Sequence, residues 1–261
     1  MSESAIHPSA SIAKSAKLAA GVRVGAFAVV GEDVELGEDC VLHAHAVVCG
    51  PSRFGAANIF HPFCVIGGDP QDYTFVGEVT ELVAGNKNVF REYVTVNRGT
   101  KKGGGVTRIG DENFFLAYAH IGHDCQIGSD NLFVNAATLA GHVTVEDFTT
   151  IGALSPVHQF CRIGRYAYVG ASTVITQDVP PFSRIVTERD TKAFGANTIG
   201  LERRGFTPER VRTLQRAFRT LLRSKLNTTQ ALEALRINFA DSDDVRELIK
   251  FVDAADRGIV K

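Results

Sequence analysis

The chain has 261 residues, 44% of them hydrophobic. That is enough for one large domain, or one domain plus a small one, and it excludes a disordered chain. The formal net charge is −1, so whole-chain charge points neither to nucleic acid nor to a membrane surface. No apolar run approaches the roughly 18 residues of a spanning helix, and residues 1–10 lack the charged-then-apolar layout of a signal peptide. A cytoplasmic protein with no nucleic-acid partner and no stable membrane insertion is expected.

From the start of the chain one pattern dominates. Stepping by six from Ile6 gives Ile12, Leu18, Val24, Val30, Leu36, Leu42, Val48, Phe54, Phe60 and Ile66, all large and apolar. The register breaks over 67–83, returns as Ala84, Phe90 and Val96, and breaks again over 97–108. From Ile109 it runs through Phe115, Ile121, Ile127, Phe133, Leu139, Val145, Ile151, Val157, Ile163 and Val169 to Ile175. Six is a multiple of the strand period of two, so these side chains share one direction. In a helix, residues six apart lie on nearly opposite faces. Four residues after each large residue sits a small or medium one, such as Ala28, Cys40, Ala119, Cys125 or Ala167. This is the hexapeptide pattern of a parallel β-helix, three hexapeptides and 18 residues to a triangular coil. A single coil cannot bury its own face, so stacking must supply the core.

Val179-Pro180-Pro181 ends the repeat, because proline donates nothing to a β-ladder. The expected boundaries are a β-helix over 1–186 and a helical domain over 187–261. Thr207, Pro208 and Glu209 read as an N-cap, a first-turn proline and a first-turn acid. Val211, Leu214, Ala217, Phe218, Leu221 and Leu222 follow at helical spacing. Two more helices are expected over 228–239 and 242–255, the latter stopped before Gly258. Of the five cysteines, Cys40, Cys64, Cys125 and Cys161 occupy the small inward slot, and the odd, wide spacing fits neither a disulfide framework nor a CxxC zinc site.

The 18-residue coil shows which side chains stack. His123 plus 18 is Gly141, beside His142; 18 more is Gln159, beside His158. Three stacked imidazoles near one prism edge are therefore expected, on coils about 4.8 Å apart, with His120 just before them. With the adjacent Asp124 they suit a general-base site. Two other readings stay open: corner histidines that cover a surface or subunit interface, as His7, His43, His45 and His61 could, and a zinc site of the hydratase type.

Seven segments carry a resemblance. They are GDPQDYTFVGEVT (68–80), REYVTVNRGT (91–100), AHIGHDCQIG (119–128), NAATLAGHV (135–143), VHQFC (157–161), QDVPP (177–181) and GLERRGF (200–206). In order and spacing the chain resembles the acyl-[acyl-carrier-protein]–UDP-N-acetylglucosamine O-acyltransferases over essentially its whole length. The resemblance implies a left-handed coil, a cytoplasmic homotrimer with sites between subunits, 3-hydroxyacyl carrier protein and UDP-N-acetylglucosamine as substrates, and no cofactor or metal. It makes His123 the general base, Asp124 its orienting carboxylate and the Gly141 amide the oxyanion donor. It assigns Asp72 and His120 to the sugar, His142 and His158 to the pocket around nucleotide sugar and acyl chain, and Gln159, Asn197, Arg203 and Arg204 to uridine and diphosphate. Ala171, where the family sets acyl-chain length, implies a shortened groove. Arg210, Arg212, Arg216, Arg219 and Arg223 are carrier-protein contacts or a solvated face. Thr74, Asn97 and Ile199 stand where lysine, histidine and glutamate are common, so a 3-amino sugar acceptor stays open beside the 3-hydroxyl.

Overall fold

The computed structural model describes residues 5–187, 193, 195–255 and 259. The chain divides into two compact units, Met1–Thr187 and Glu188–Lys261. The first is a left-handed parallel β-helix with three faces. The first face stacks ten strands, from Ala5–Ile6 to Arg184–Ile185. The second stacks eight, from Ser11–Ile12 to Pro156–Val157, and the third eight, from Lys17–Leu18 to Arg162–Ile163. Every pairing is parallel, and on regular coils it joins residues 18 apart, as in Ile12↔Val30 and Leu18↔Leu36.

The large residue of each hexapeptide points into the prism, as its period requires. Phe60, Phe90, Phe115 and Phe133 stack down the axis with ring centroids 5.3, 5.1 and 4.7 Å apart. All four are fully buried, each contributing about 1.5–3 kcal/mol relative to an exposed ring. Cys40, Cys64 and Cys125 are fully buried in the small slot, and Cys161 nearly so. Burial pushes the Cys64 and Cys125 thiols up to about 12. The first coil departs from the pattern: Ile6 is exposed and Ile12 and Leu18 are only partly buried, because that coil ends the stack.

The small slot also holds polar residues, and these are not passive. Asn58 Oδ1 accepts from the Asn88 backbone N–H at 2.9 Å, Asn88 Oδ1 from Asn113 at 3.0 Å, Asn113 Oδ1 from Asn131 at 3.1 Å, and Asn131 Oδ1 from Thr149 at 2.7 Å. A buried polar seam thus runs along one edge, each side chain satisfying an amide of the next coil. Asn88 keeps the small slot, four residues after Ala84, although it follows the first register break.

Both register breaks sit on one edge, between the second and third faces. Strand Val65–Gly68 leads through 69–80 to Glu81–Ala84. Strand Thr95–Asn97 leads through a 3₁₀ turn, Lys101–Gly103, to Val106–Ile109. The coils lengthen there without disturbing the ladders, so the register becomes Ile59↔Val89 and then Val89↔Phe114. Elsewhere the corners are tight, and most place a residue in the left-handed conformation. For a non-glycine residue this costs on the order of 1 kcal/mol. Rings offset it on the edge between the first and second faces, where Phe27, His45, Phe63, Tyr93 and Tyr118 stack in sequence at 4.9–5.3 Å.

The second unit holds four helices: α1 (Thr198–Arg203), α2 (Pro208–Arg223), α3 (Thr228–Asn238) and α4 (Asp243–Asp253). Thr207 caps α2 as its sequence predicts, and Asn227 and Ser242 cap α3 and α4. The short α1 was not expected from periodicity. The stop expected at Gly258 lies outside the described residues. Leu214, Ala217 and Leu221 of α2 pack with Ala231 and Leu235 of α3 and Val245 and Ile249 of α4. Arg210 is held inside this unit by two hydrogen bonds to Asp244, at 2.7 and 2.9 Å, and lies 3.9 Å over the Phe206 ring. It braces α2 against the start of α4.

Candidate active site

The second face delivers His120, His123 and Asp124 in order. His120 opens a strand whose neighbour carries Thr95, and their side chains meet, Nδ1 to Oγ1, at 2.7 Å. Burial first, then the charge of His123, holds the His120 imidazolium below its ordinary stability, so its pKa is lowered. Two residues past the strand the chain turns the corner. Asp124 takes the left-handed corner position and drops its carboxylate inward.

That carboxylate is almost fully buried, and a buried charge demands partners. Thr100 supplies two, donating from its backbone N–H at 2.8 Å and its hydroxyl at 2.7 Å. His123 Nδ1 supplies the third, 2.8 Å from Asp124 Oδ2. A carboxylate only accepts, so Nδ1 carries the proton and His123 Nε2 is left as the basic nitrogen. The Asp124 backbone N–H donates to Thr107 Oγ1 at 2.8 Å. Gly103 lies so close that a Cβ there would sit 2.1 Å from the Asp124 carboxyl carbon. The lengthened coil therefore roofs the carboxylate.

The next coil fixes the imidazole. A Cβ on Gly141 would come within 2.5 Å of His123 Cε1, so the ring lies flat against that glycine. Among the described residues no acceptor takes the Gly141 amide hydrogen. His142 occupies the corner above Asp124, with Nε2 3.7 Å from Asp124 Oδ2 and its ring edge-on to His123 at 5.1 Å.

Three stacked imidazoles are not found. His142 stacks instead on Phe160, at 4.5 Å and 12°. The reason is register: Asp124, His142 and Phe160 share the corner slot 18 residues apart, whereas His158 precedes it and points to solvent beside the exposed Gln159. His158 Nδ1 instead meets the Gln159 carbonyl at 3.1 Å.

Asp72 lies on the other inserted segment. Its carboxylate accepts from the Thr74 backbone N–H at 2.8 Å and the Thr74 hydroxyl at 2.9 Å. These bonds, the backbone one first, hold it below the usual carboxylate range, with smaller contributions from the charges of Lys102 and His123. The lengthened edge thus unites Asp72, His123, Asp124, Gly141 and His142. Ala171 does not join them within one protomer: it follows the strand Tyr168–Val169 on the first face, at a different edge. In the helical unit the Asn197 side chain caps α1, and Arg203 and Arg204 are exposed at its C-terminal end.

The sequence reading missed Thr100, Gly103, Thr107 and Phe160. Thr100 lies 24 residues before Asp124, an interval created by the inserted turn. Phe160 was within reach of the counting, since it lies 18 residues past His142.

Sequence and fold comparisons agree with this geometry. The description "Udp N-acetylglucosamine O-acyltransferase; Domain 2" matches residues 178–260, and "Bacterial transferase hexapeptide (six repeats)" matches 15–50. An acyl-[acyl-carrier-protein]–UDP-N-acetylglucosamine O-acyltransferase of Xylella fastidiosa is 48% identical over 204 residues, 78% of each chain. The chain belongs to that family. A relative of the same name from Alkalilimnicola ehrlichii is also 48% identical, over 76% of this chain and 77% of its own. Among solved structures, LpxA from Acinetobacter baumannii superposes with a TM-score of 0.70 at 34% identity, covering 98% of this chain and 99% of that one. The UDP-N-acetylglucosamine acyltransferase of Francisella novicida gives 0.69 at 35% identity, covering 98% and 93%.

Proposed function

We propose that this protein moves an (R)-3-hydroxyacyl chain from acyl carrier protein to the 3-hydroxyl of UDP-N-acetylglucosamine, the first step of lipid A biosynthesis. The observation that carries the mechanism is the 2.8 Å bond from His123 Nδ1 to the buried Asp124 carboxylate, which leaves Nε2 basic and aimed away from it. Nε2 takes the proton of the sugar hydroxyl as its oxygen attacks the thioester carbonyl. Negative charge gathers on the carbonyl oxygen, where the Gly141 N–H donates to it; such a donor contributes on the order of 3 kcal/mol. The intermediate collapses, the carbon–sulfur bond breaks, and the imidazolium returns its proton to the departing thiolate. Asp124 stabilises the transient imidazolium. No acyl-enzyme forms, in keeping with the burial of Cys125.

In this reading Asp72 and His120 hold the sugar, while His142 and His158 line the pocket around nucleotide sugar and acyl chain. Gln159, Asn197, Arg203 and Arg204 take uridine and diphosphate, and paired arginines suit a diphosphate. Ala171 floors the acyl groove. Because Ala171 and His123 lie on different edges of one protomer, a groove that includes both needs a neighbouring subunit, in keeping with the homotrimer that the resemblance implies. We place that trimer in the cytoplasm.

Single-turnover transfer from a panel of 3-hydroxyacyl carrier proteins to UDP-N-acetylglucosamine tests the reading. Ester product that disappears in His123→Ala supports it. Transfer only to the 3-amino sugar would move the acceptor, and no transfer to either would overturn the reading. A metal-dependent hydratase remains the second reading, because single ligand atoms of His123, Asp124 and His142 lie within 4.8 Å of one another. Stoichiometric zinc in the purified protein, with hydratase activity lost to chelator, would favour it.

A further inference from the structure

The turn that roofs Asp124 also carries a cation to the sugar side of the site. Thr100 caps the 3₁₀ turn Lys101–Gly103, accepting from the Gly103 N–H, and holds Asp124 with its own N–H and hydroxyl. The turn is therefore fixed to the carboxylate beneath it. From it, Lys102 Nζ reaches the other inserted segment and donates to Thr74 Oγ1 at 2.9 Å. The same hydroxyl donates to Asp72 Oδ1 at 2.9 Å. Among the described residues Lys102 makes no ion pair within 4 Å. An ammonium has three donors, and Thr74 uses one. Lys102 and Asp72 thus stand side by side as spare donor and spare acceptor. Both lie on the edge of His123, whose charge Asp72 feels.

A phosphate meets this pair badly, since the carboxylate repels it. A sugar hydroxyl meets it well, because one hydroxyl both donates and accepts. We propose that Lys102 positions the hexose of the acceptor, donating to a ring hydroxyl that Asp72 also binds. The proposal rests on the acyltransferase reading and extends it to a residue outside the segments that carry the resemblance.

Lys102→Met removes the ammonium and keeps the stem. Lys102 is exposed, and unchanged thermal unfolding will verify that the variant folds. Calorimetry should find UDP-N-acetylglucosamine bound about tenfold more weakly by the variant, the scale of one charged hydrogen bond, with UDP bound as before. In turnover, KM for the nucleotide sugar should rise by about the same factor, while kcat stays within about threefold and KM for the carrier protein does not move. Equal weakening of UDP and UDP-N-acetylglucosamine would assign the ammonium to the diphosphate and overturn the proposal. So would an effect confined to kcat or to the carrier protein. Wild-type protein that binds neither UDP nor its sugar conjugate would instead refute the acyltransferase reading itself, and this proposal with it.

Discussion

Two edges of the β-helix share one backbone, and one of them also holds a buried charge. Between the first and second faces the left-handed corner slot holds Phe27, His45, Phe63, Tyr93 and Tyr118, each ring stacked on the next and open to solvent. Between the second and third faces the same slot holds Asp124, His142 and Phe160. Ring stacking is what the side chains of the first column share. The second contains the Asp124 charge, which 98–105 buries and Thr100 compensates by donating to it twice. The difference lies in the two insertions, not in the coil. The repeat makes a rigid lattice of equivalent sites, and lengthening one edge makes a few of them unequal.

That contrast can be broken at its centre. His123→Ala removes the base and should cut kcat by about a thousandfold, with unfolding unchanged, as single-turnover kinetics and a melting curve will read. Gly141→Ala leaves the base but crowds it, since the new methyl would need the space of His123 Cε1. A displaced ring should cost about a hundredfold in kcat. A rate near wild type would mean that the ring need not lie on Gly141.

Smaller effects sharpen the comparison. Thr100→Val strips one donor from the buried carboxylate and should cost about 1–3 kcal/mol of stability, measured by denaturant. The equivalent loss on the aromatic edge, Tyr118→Leu, should cost less than about 1.5 kcal/mol, since it forfeits only stacking between exposed rings. His120 gives a pH signature. Its folded pKa lies below 6.5, so below pH 6.5 the unfolded chain takes up a proton that the folded chain resists. Its contribution to stability is whole above that pH and is lost as pH falls through the depressed value. His120→Gln should therefore lose less stability than wild type between pH 7.5 and 5.5; equal losses would exclude His120 as a source of acid sensitivity. Last, Ala171→Gly should move donor preference one or two carbons longer, by a factor of about four per methylene at ~0.8 kcal/mol each. An unchanged profile would remove Ala171 from the groove.

The coil was legible because its period is a steric requirement: any polar residue at Phe115 or Ile121 would face the interior of the prism. In the helical unit α2 was legible from its Thr207 cap and its period, whereas α1 is too short to carry a period. His123, Asp124 and His142 were legible as neighbours for the same reason as the coil. Their supports were not. Thr100 and Gly103 reach Asp124 across an insertion, and no arithmetic based on 18 predicts where an inserted turn lands. Lys102 shows the same blindness from the other side. Thr74 reads as a lost positive charge, yet a lysine 28 residues later delivers one to its hydroxyl.

The asparagine seam has a consequence for how the chain finds its fold. In a stack of near-identical coils, one rung resembles the next, and slipping by a whole coil would keep most apolar residues inside. The seam forbids such slips unequally. Its links span 30, 25, 18 and 18 residues, so the long intervals occur once each. A chain displaced by one coil at Asn58 or Asn88 would bury an amide with no partner. The seam works as a notch cut to a single key, marking the coils that carry the insertions so that the stack closes with its two lengthened rungs adjacent.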